Sequence, residues 1–474
     1  MTKRVLFIAG PCGLDVWMWE VFRRWSRDEE IIPHFIATQE KNKDFLLSKG
    51  IESKNITTII PFQNGPTPDL KYLRSCEQKY ELNIWDSWSV SSVRNKKRAK
   101  LKPEEVLSYF QEVFEKVESI VETVKPEYYV CYAPAGYHSI VIHHVLLKHK
   151  VPILEFVAAM LPNRFTFAEN LSNIWPTLVN SYHQVKEEGM TGKEKEIAQE
   201  YIEDFRNRPN KPDCAKVYKE PLMNKIKRVT SYGSQLIRYR KLPPDLRFFF
   251  WPVIQKVYDH IGIFEKPREG EKYVFFPLHF QPESTTLISG KWYVDQATLI
   301  ENISKAVPIS HMLYIKEHPF GYGNRNLGFY RRIKKLPNVR LLSPHEDNFQ
   351  LIKNCSLLMT ITGTSGWEAL LFQIPAVTFG NIFYNICEET IPVERINDLP
   401  EIIKNNLDRK ANKEVIIAFT AALYRCGYEG LTRLPSDCND HSLKTENISL
   451  LVEGIKKHIS LLKNKDITSR KVKI

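Results

Sequence analysis

No two of the eight cysteines stand in a CxxC pair. They are scattered at positions 12, 76, 131, 214, 355, 387, 426 and 438, with Cys131 and Cys355 in or beside apolar runs. Such spacing excludes a zinc ribbon and favours reduced thiols over a disulfide framework. No stretch approaches the ~18 apolar residues of a bilayer-spanning helix. The apolar run at residues 5–9 is too short for a signal peptide and reads as a first strand. A cytoplasmic protein, at most attached to the inner face of a membrane, is expected. The glycine loop at residues 10–13 is not GxGxxG, so a dinucleotide fingerprint is missing. No DxD stands at a strand end and no His/Asp cluster has metal spacing, so neither a metal nor another cofactor is expected. The basic residues are dispersed and no nucleic-acid module is recognisable, which removes nucleic acid from the expected partners.

What is present points to an α/β enzyme. At 474 residues the chain exceeds one compact core, and two domains are the default. A net charge of +12 suits an anionic partner. Residues 1–180 alternate apolar strands (VLFIAG, IIPHFIAT, YYVCYAP, VPILEFV) with amphipathic helices, the pattern of a parallel sheet covered on both faces. Residues 181–270 turn charged and then basic and aromatic, as in IRYRKLPPDLRFFFWP, and read as a helical insertion and linker. The RFFFWP cluster offers either packing between linker helices, the commoner case, or a membrane-facing patch. A second array of strands and helices fills residues 271–440, with strands YVFFPLH, HMLYIKEH, VRLLSP, LLMTITG and AVTFG and helices starting near Gln296, Leu327, Asp347 and Trp367. Residues 441–474 form a last helix and a basic tail, frayed or weakly drawn to an anionic membrane surface.

The strand–loop–helix junctions at 314–380 carry the chemistry. Gly363, Thr364, Ser365 and Gly366 lie where a strand stops and a helix starts, a place that offers unpaired N–H groups and a positive dipole end to a phosphate. Capping of a plain turn uses the same groups. Lys316, His318 and Pro319 end the neighbouring strand and bring positive charge to that edge. Glu368 either meets the nucleotide or favours the helix's first turns through the dipole. His279, Gln281 and Glu283 cluster at another strand end, where αβ sheets bind ligands, with His279 or Glu283 as acid or base and Gln281 on the sugar. In the first half Asp15 is the acceptor-side base candidate, or an N-cap of the Trp-rich helix. Glu155 and Arg164 either bind acceptor or sugar, or pair with each other. Arg325 closes the YIKEHPFGYGNR run and is assigned to sugar or acceptor. Histidines 138, 143, 144 and 149 share a helix and read as surface and packing residues.

Three ordered runs, FPLHFQPESTT with YVDQATLIENI, YIKEHPFGYGNR, and TITGTSGWEALLFQIPAVTFG, resemble the capsule polysaccharide biosynthesis family of bacterial surface-glycan glycosyltransferases over about residues 270–385. PILEFVAAMLPNRFTFAEN resembles its acceptor-side domain more weakly. The resemblance implies a GT-B-like fold, two Rossmann-like domains whose parallel sheets face a cleft, and transfer of a sugar from a nucleotide-sugar donor to a glycan or lipid-linked glycan acceptor. Relatives use CMP-activated acidic sugars such as Kdo. His318 and Pro319 then match a nucleotide-contacting pair, Thr364 and Ser365 the hydroxyl residues on the donor phosphate, and Glu368 the donor-domain helix. No position matches the family's catalytic carboxylate. A non-hydrolysing sugar-nucleotide epimerase, a CDP-polyol phosphotransferase and a non-catalytic glycan-assembly subunit remain as alternatives.

Overall fold

The computed structural model describes residues 2–60, 66–93, 100–134, 136–207, 255, 257–258, 260–323, 325–407, 409–432 and 441–464. The RFFFWP cluster and nearly all of the basic tail lie outside them. The chain divides into two compact units, Met1–Ala198 with Leu287–Ser289 and Ala418–Ile474, and Gln199–Thr286 with Gly290–Ile417.

The first unit is built on strands β1 (Lys3–Ala9), β2 (Ile31–Ala37), β3 (Ile56–Thr58), β4 (Tyr128–Tyr132), β5 (Ile153–Ala158) and β6 (Arg164–Ala168). A late two-residue strand, Tyr428–Glu429, joins them, giving the order (428–429)-β6-β5-β4-β1-β2-β3. β5 to β3 run parallel, whereas β6 pairs antiparallel with β5 and with the 428–429 strand. The expectation of a wholly parallel sheet therefore fails at one edge. Residues 164–168 form the returning arm of a hairpin. Phe165 and Phe167 are fully buried there, and Phe156 and Tyr428 lie within ring-contact distance of both. Ile448, Leu451, Val452 and Ile455 of the last helix, Thr445–Asn464, belong to the same core. Residues 418–464 thus depart from the expected division, in which they completed the second domain and a tail. Burying those apolar side chains, at about 25 cal/mol per Å², draws the segment back onto the first sheet.

The second unit is a six-stranded parallel sheet of β7 (Tyr273–Pro277), β8 (Met312–Lys316), β9 (Val339–Leu342), β10 (Leu357–Thr360), β11 (Ala376–Thr378) and β12 (Thr390–Pro392), ordered β12-β11-β10-β7-β8-β9. Its strands show why continuous apolar runs signal a buried parallel sheet. Val274 and Phe276 enter the core on one face, and Tyr273 and Phe275 enter the core on the other. Helices start at Gln296, Leu327 and Asn348, capped by the side chains of Asp295, Asn326 and Asp347. The helix expected from Trp367 begins a turn earlier, at Thr364, because Gly363 itself takes the cap position. β8 and β9 fall on one side of β7 and β10 on the other. The carboxyl ends of β7 and β10 therefore flank a topological switch point, where open α/β sheets hold ligands.

Both units are mixed α/β with a mainly or wholly parallel sheet. Among the described residues no helix is long and apolar enough to cross a membrane, and none of the six described cysteines stands in a disulfide.

Candidate functional site

The carboxyl ends of β7, β8 and β10 are knitted into one polar network. After β7, His279 is buried, and its backbone N–H and C=O are both held by the Gln296 amide, at 2.8 and 3.1 Å. Its Nε2 accepts the Ile361 N–H at 3.1 Å and lies 3.0 Å from Thr360 Oγ1. Thr360 Oγ1 in turn accepts the Gly363 N–H at 3.1 Å, so its own proton goes to the imidazole. Nε2 is therefore an acceptor, and the ring proton sits on Nδ1. Burial, with the nearby His318 and the Arg325 charge, pushes His279 down to about 3. A neutral imidazole with its basic nitrogen occupied by two donors is no general base through Nε2. That corrects the acid–base role expected of it and leaves Nδ1–H as a donor.

After β8, Lys316 is buried and Glu317 is fully buried. Glu317 is a residue the sequence reading passed over between its two basic neighbours. Its carboxylate pairs with Arg325 at 3.0 Å, accepts the Tyr330 hydroxyl at 2.7 Å, and accepts the His318 N–H. Arg325 also donates to the His279 carbonyl and sits over the Phe329 ring, 4.8 Å from its centroid. Arg325 thus clamps the β7 end to the β8 end, and two of its nitrogens are already committed. His318 accepts the Phe320 N–H on Nδ1 at 3.1 Å, which leaves Nε2–H as an outward donor. Burial, helped by the Lys316 and Arg325 charges, pushes His318 down to about 4. Its ring forms a triangle with those of Phe280 and Phe320, at centroid distances of 5.8 and 5.5 Å, and the two phenylalanines are 5.9 Å apart. Pro319 is exposed beside it.

After β10 the chain turns through Thr362 and Gly363 into the helix Thr364–Leu371. Gly363 has an ordinary φ of −83° and is needed for space, since a Cβ there would meet Thr360 Oγ1 at 2.6 Å and His279 Cε1 at 3.1 Å. The Thr364 and Ser365 N–H groups have no hydrogen-bond partner among the described residues. The buried Thr362 hydroxyl likewise finds none. Glu368 lies a turn further along the helix. It keeps some accessible area, yet protein surrounds its carboxyl closely enough for burial to push it up to about 7. This carboxyl pushes the buried Tyr384 hydroxyl further up.

The structure therefore gathers Lys316, His318, Gly363, Thr364, Ser365, His279 and Arg325 around three adjacent strand ends. Gln281 is turned away, donating to the Val294 carbonyl at 2.8 Å. Glu283 is exposed at the start of the helix Ser284–Ser289, and no hydrogen bond joins it to His279.

Asp15, Glu155 and Arg164 belong to the first unit. Asp15 is not the cap of its helix, a position held by Gly13 at φ 80°; its carboxylate accepts from Asn42 at 2.8 Å and from the Val16 N–H at 2.9 Å. Glu155 lies within β5 and faces His143, while Arg164 reaches the carbonyls of Tyr424 and Gly427. The expected pairing of Glu155 with Arg164 does not occur, because they sit on adjacent strands with different partners. In this unit Cys131, His143 and Glu155 form a buried group able to hold a metal ion. Spacings of twelve residues hid it, and only the pairing of β4 with β5 brings it together.

Comparison with known proteins bears on the second unit. Solved structures to which the chain shows similarity include the β-Kdo 2,7-transferase KpsC of Thermosulfurimonas dismutans (12% identity, 73% of this chain and 89% of that chain, TM-score 0.38). They also include the β-Kdo 2,4-transferase KpsC of the same organism (14%, 63% and 79%, TM-score 0.37) and the UDP-GlcNAc 2-epimerase of Methanocaldococcus jannaschii (12%, 90% and 99%, TM-score 0.32). These likenesses are too distant to carry function. No curated protein matches. Residues 266–414, which hold every strand of the second sheet and its polar network, match the family model described as capsule polysaccharide biosynthesis protein. That segment, which holds the site built at the ends of β7, β8 and β10, is what the chain shares with the capsule polysaccharide biosynthesis family.

Proposed function

We propose that this protein is a glycosyltransferase of bacterial capsular or lipopolysaccharide assembly, and that the network at the ends of β7, β8 and β10 binds its nucleotide-sugar donor. The observation that carries this reading is the unpartnered Thr364 and Ser365 amides, opening beside the outward His318 Nε2–H and the Lys316 charge at a sheet switch point.

Sugar transfer forms a bond from an acceptor oxygen to the anomeric carbon and breaks the bond from that carbon to a phosphate oxygen. The acceptor's proton goes to a base, and the bonding pair leaves with the phosphate. Donors already aimed at the leaving oxygens cost no reorganisation when the charge develops. Here those donors are two backbone amides, a neutral imidazole N–H and a buried ammonium, so the phosphate needs no metal. In this reading Glu368 accepts from the ribose hydroxyls. The donor is a CMP-activated acidic sugar such as Kdo, and the acceptor a glycan or lipid-linked glycan. Asp15 and Glu283 are the base candidates left once His279 Nε2 is occupied. A cytoplasmic protein held weakly at the inner membrane face would meet such an acceptor.

Incubation of the full chain with CMP-Kdo and an acceptor oligosaccharide tests the reading. Acceptor-dependent release of CMP is expected. Epimerisation of UDP-GlcNAc without acceptor, or no turnover of any nucleotide sugar, overturns it.

A further inference from the structure

The first unit carries a second constellation whose chemistry is separate from donor binding. β4 and β5 are parallel neighbours, and Cys131 is the register partner of Glu155, so both side chains leave the sheet on one face. The helix Tyr137–Lys148, which connects the two strands, turns His143 onto that face. His143 Nε2 lies 3.9 Å from Cys131 Sγ and 3.6 Å from Glu155 Oε2. Cys131 and His143 are each 1% exposed and Glu155 7%.

The geometry around His143 suits a metal ligand. His143 Nδ1 is 2.7 Å from the Ser139 carbonyl, a contact that requires an N–H and so leaves Nε2 with its lone pair. An outer hydrogen bond of this kind also fixes a metal-binding imidazole. Glu155 accepts no side-chain or backbone hydrogen bond of ordinary length among the described residues, although burying an uncompensated carboxylate is expensive. Tyr129, two residues before Cys131 and so on the same face, turns a buried hydroxyl toward the Cys131 sulfur. Its ring meets that of His143 edge-on at 5.7 Å.

We propose that Cys131, His143 and Glu155 bind one divalent transition-metal ion, zinc by the softness and mixture of the sulfur, nitrogen and oxygen donors. Binding forms a bond from the metal to Cys131 Sγ and releases the thiol proton to solvent. The thiolate and the carboxylate then balance the two positive charges of the ion. Tyr129 or a water takes the fourth position. The ion ties β4, β5 and their crossover helix together, which makes it a structural element of the first unit. The competing occupant is a proton on His143 Nε2, paired with Glu155.

Metal analysis of the full chain, purified without chelator, together with cobalt titration after chelator treatment, distinguishes the two. About one zinc per chain, a cobalt–thiolate absorption band on titration, and a melting temperature that falls with chelator and returns with zinc are expected. Cys131→Ser and Glu155→Gln, with unchanged circular dichroism, should each lower zinc retention at least about tenfold. A chain without zinc that develops no thiolate band and melts alike with zinc or chelator overturns the proposal. Full metal content in Cys131→Ser does so as well.

Discussion

The backbone N–H of Ile361 donates to His279 Nε2 over 3.1 Å, and this bond joins the end of β10 to the end of β7 through an imidazole that has to stay unprotonated. The consequence is a pH-dependent stability. Burial holds His279 near 3 and His318 near 4, whereas both titrate near ~6.5 in the unfolded chain. Between those values the unfolded chain binds more protons. The stabilisation is therefore complete above about pH 6.5 and is lost as pH falls toward 3 to 4. Urea midpoints of the wild type should drop steeply between about pH 7 and pH 5. His279→Gln, whose amide oxygen can still accept the Ile361 N–H, should show a shallower acid limb. Equal slopes would remove His279 from the account.

Glu317 is fully buried and holds Arg325, Tyr330 and the His318 N–H at once. Glu317→Gln leaves the Arg325 cation without its counter-charge and should cost about 3–5 kcal/mol in urea unfolding. The exposed pair Arg395–Asp398 is the control. Asp398→Asn should cost under about 1 kcal/mol. Similar losses from the two variants would show that burial of the Glu317 pair contributes nothing.

Gly366 is pressed against one ring. A Cβ there would lie 2.2 Å from the Tyr384 hydroxyl oxygen and 2.7 Å from Cζ, and Tyr384 itself donates to the Gly363 carbonyl. Gly366→Ala should destabilise by about 1–3 kcal/mol through overpacking. On the donor-site reading it should also weaken nucleotide binding, because the displaced ring supports the Gly363 loop. A variant with wild-type melting temperature and wild-type affinity would refute the close approach.

The Glu368 carboxyl, pushed up to about 7, changes charge in the range where enzymes work. In the free chain, stability attached to the protonated form is present below about 4.5 and is lost as pH climbs through 7. The ionised form accepts more strongly from ribose hydroxyls than the neutral acid, which keeps one acceptor oxygen, so nucleotide affinity should rise between about pH 6 and pH 8. Glu368→Gln should flatten that rise. A pH-independent affinity in the wild type would place Glu368 outside the nucleotide contact.

Much of the second unit was legible in the sequence because its strands are buried on both faces and read as short apolar runs ending in polar loops. Helix starts at Gln296 and Leu327 follow from Asp295 and Asn326, caps visible in the chain. The strand 428–429 was not legible, since two residues carry no period and its partner β6 lies over 250 positions earlier. The strand-end loops carrying His279, Lys316, His318 and Gly363 were found by position. Glu317 was missed because a charged residue between two cations looks solvated until Tyr330 and Arg325 are seen closing over it. Cys131, His143 and Glu155 were missed for a different reason. Strand register, which no local pattern encodes, sets Cys131 beside Glu155.

The most direct test is calorimetric titration of the full chain, wild type and His318→Ala, with CMP, CDP, UDP and GDP. The donor-site reading predicts selective binding of CMP, weakened at least about tenfold, or 1.4 kcal/mol, in His318→Ala at an unchanged melting temperature. Absence of nucleotide binding, or an affinity in His318→Ala equal to that of the wild type, would contradict it.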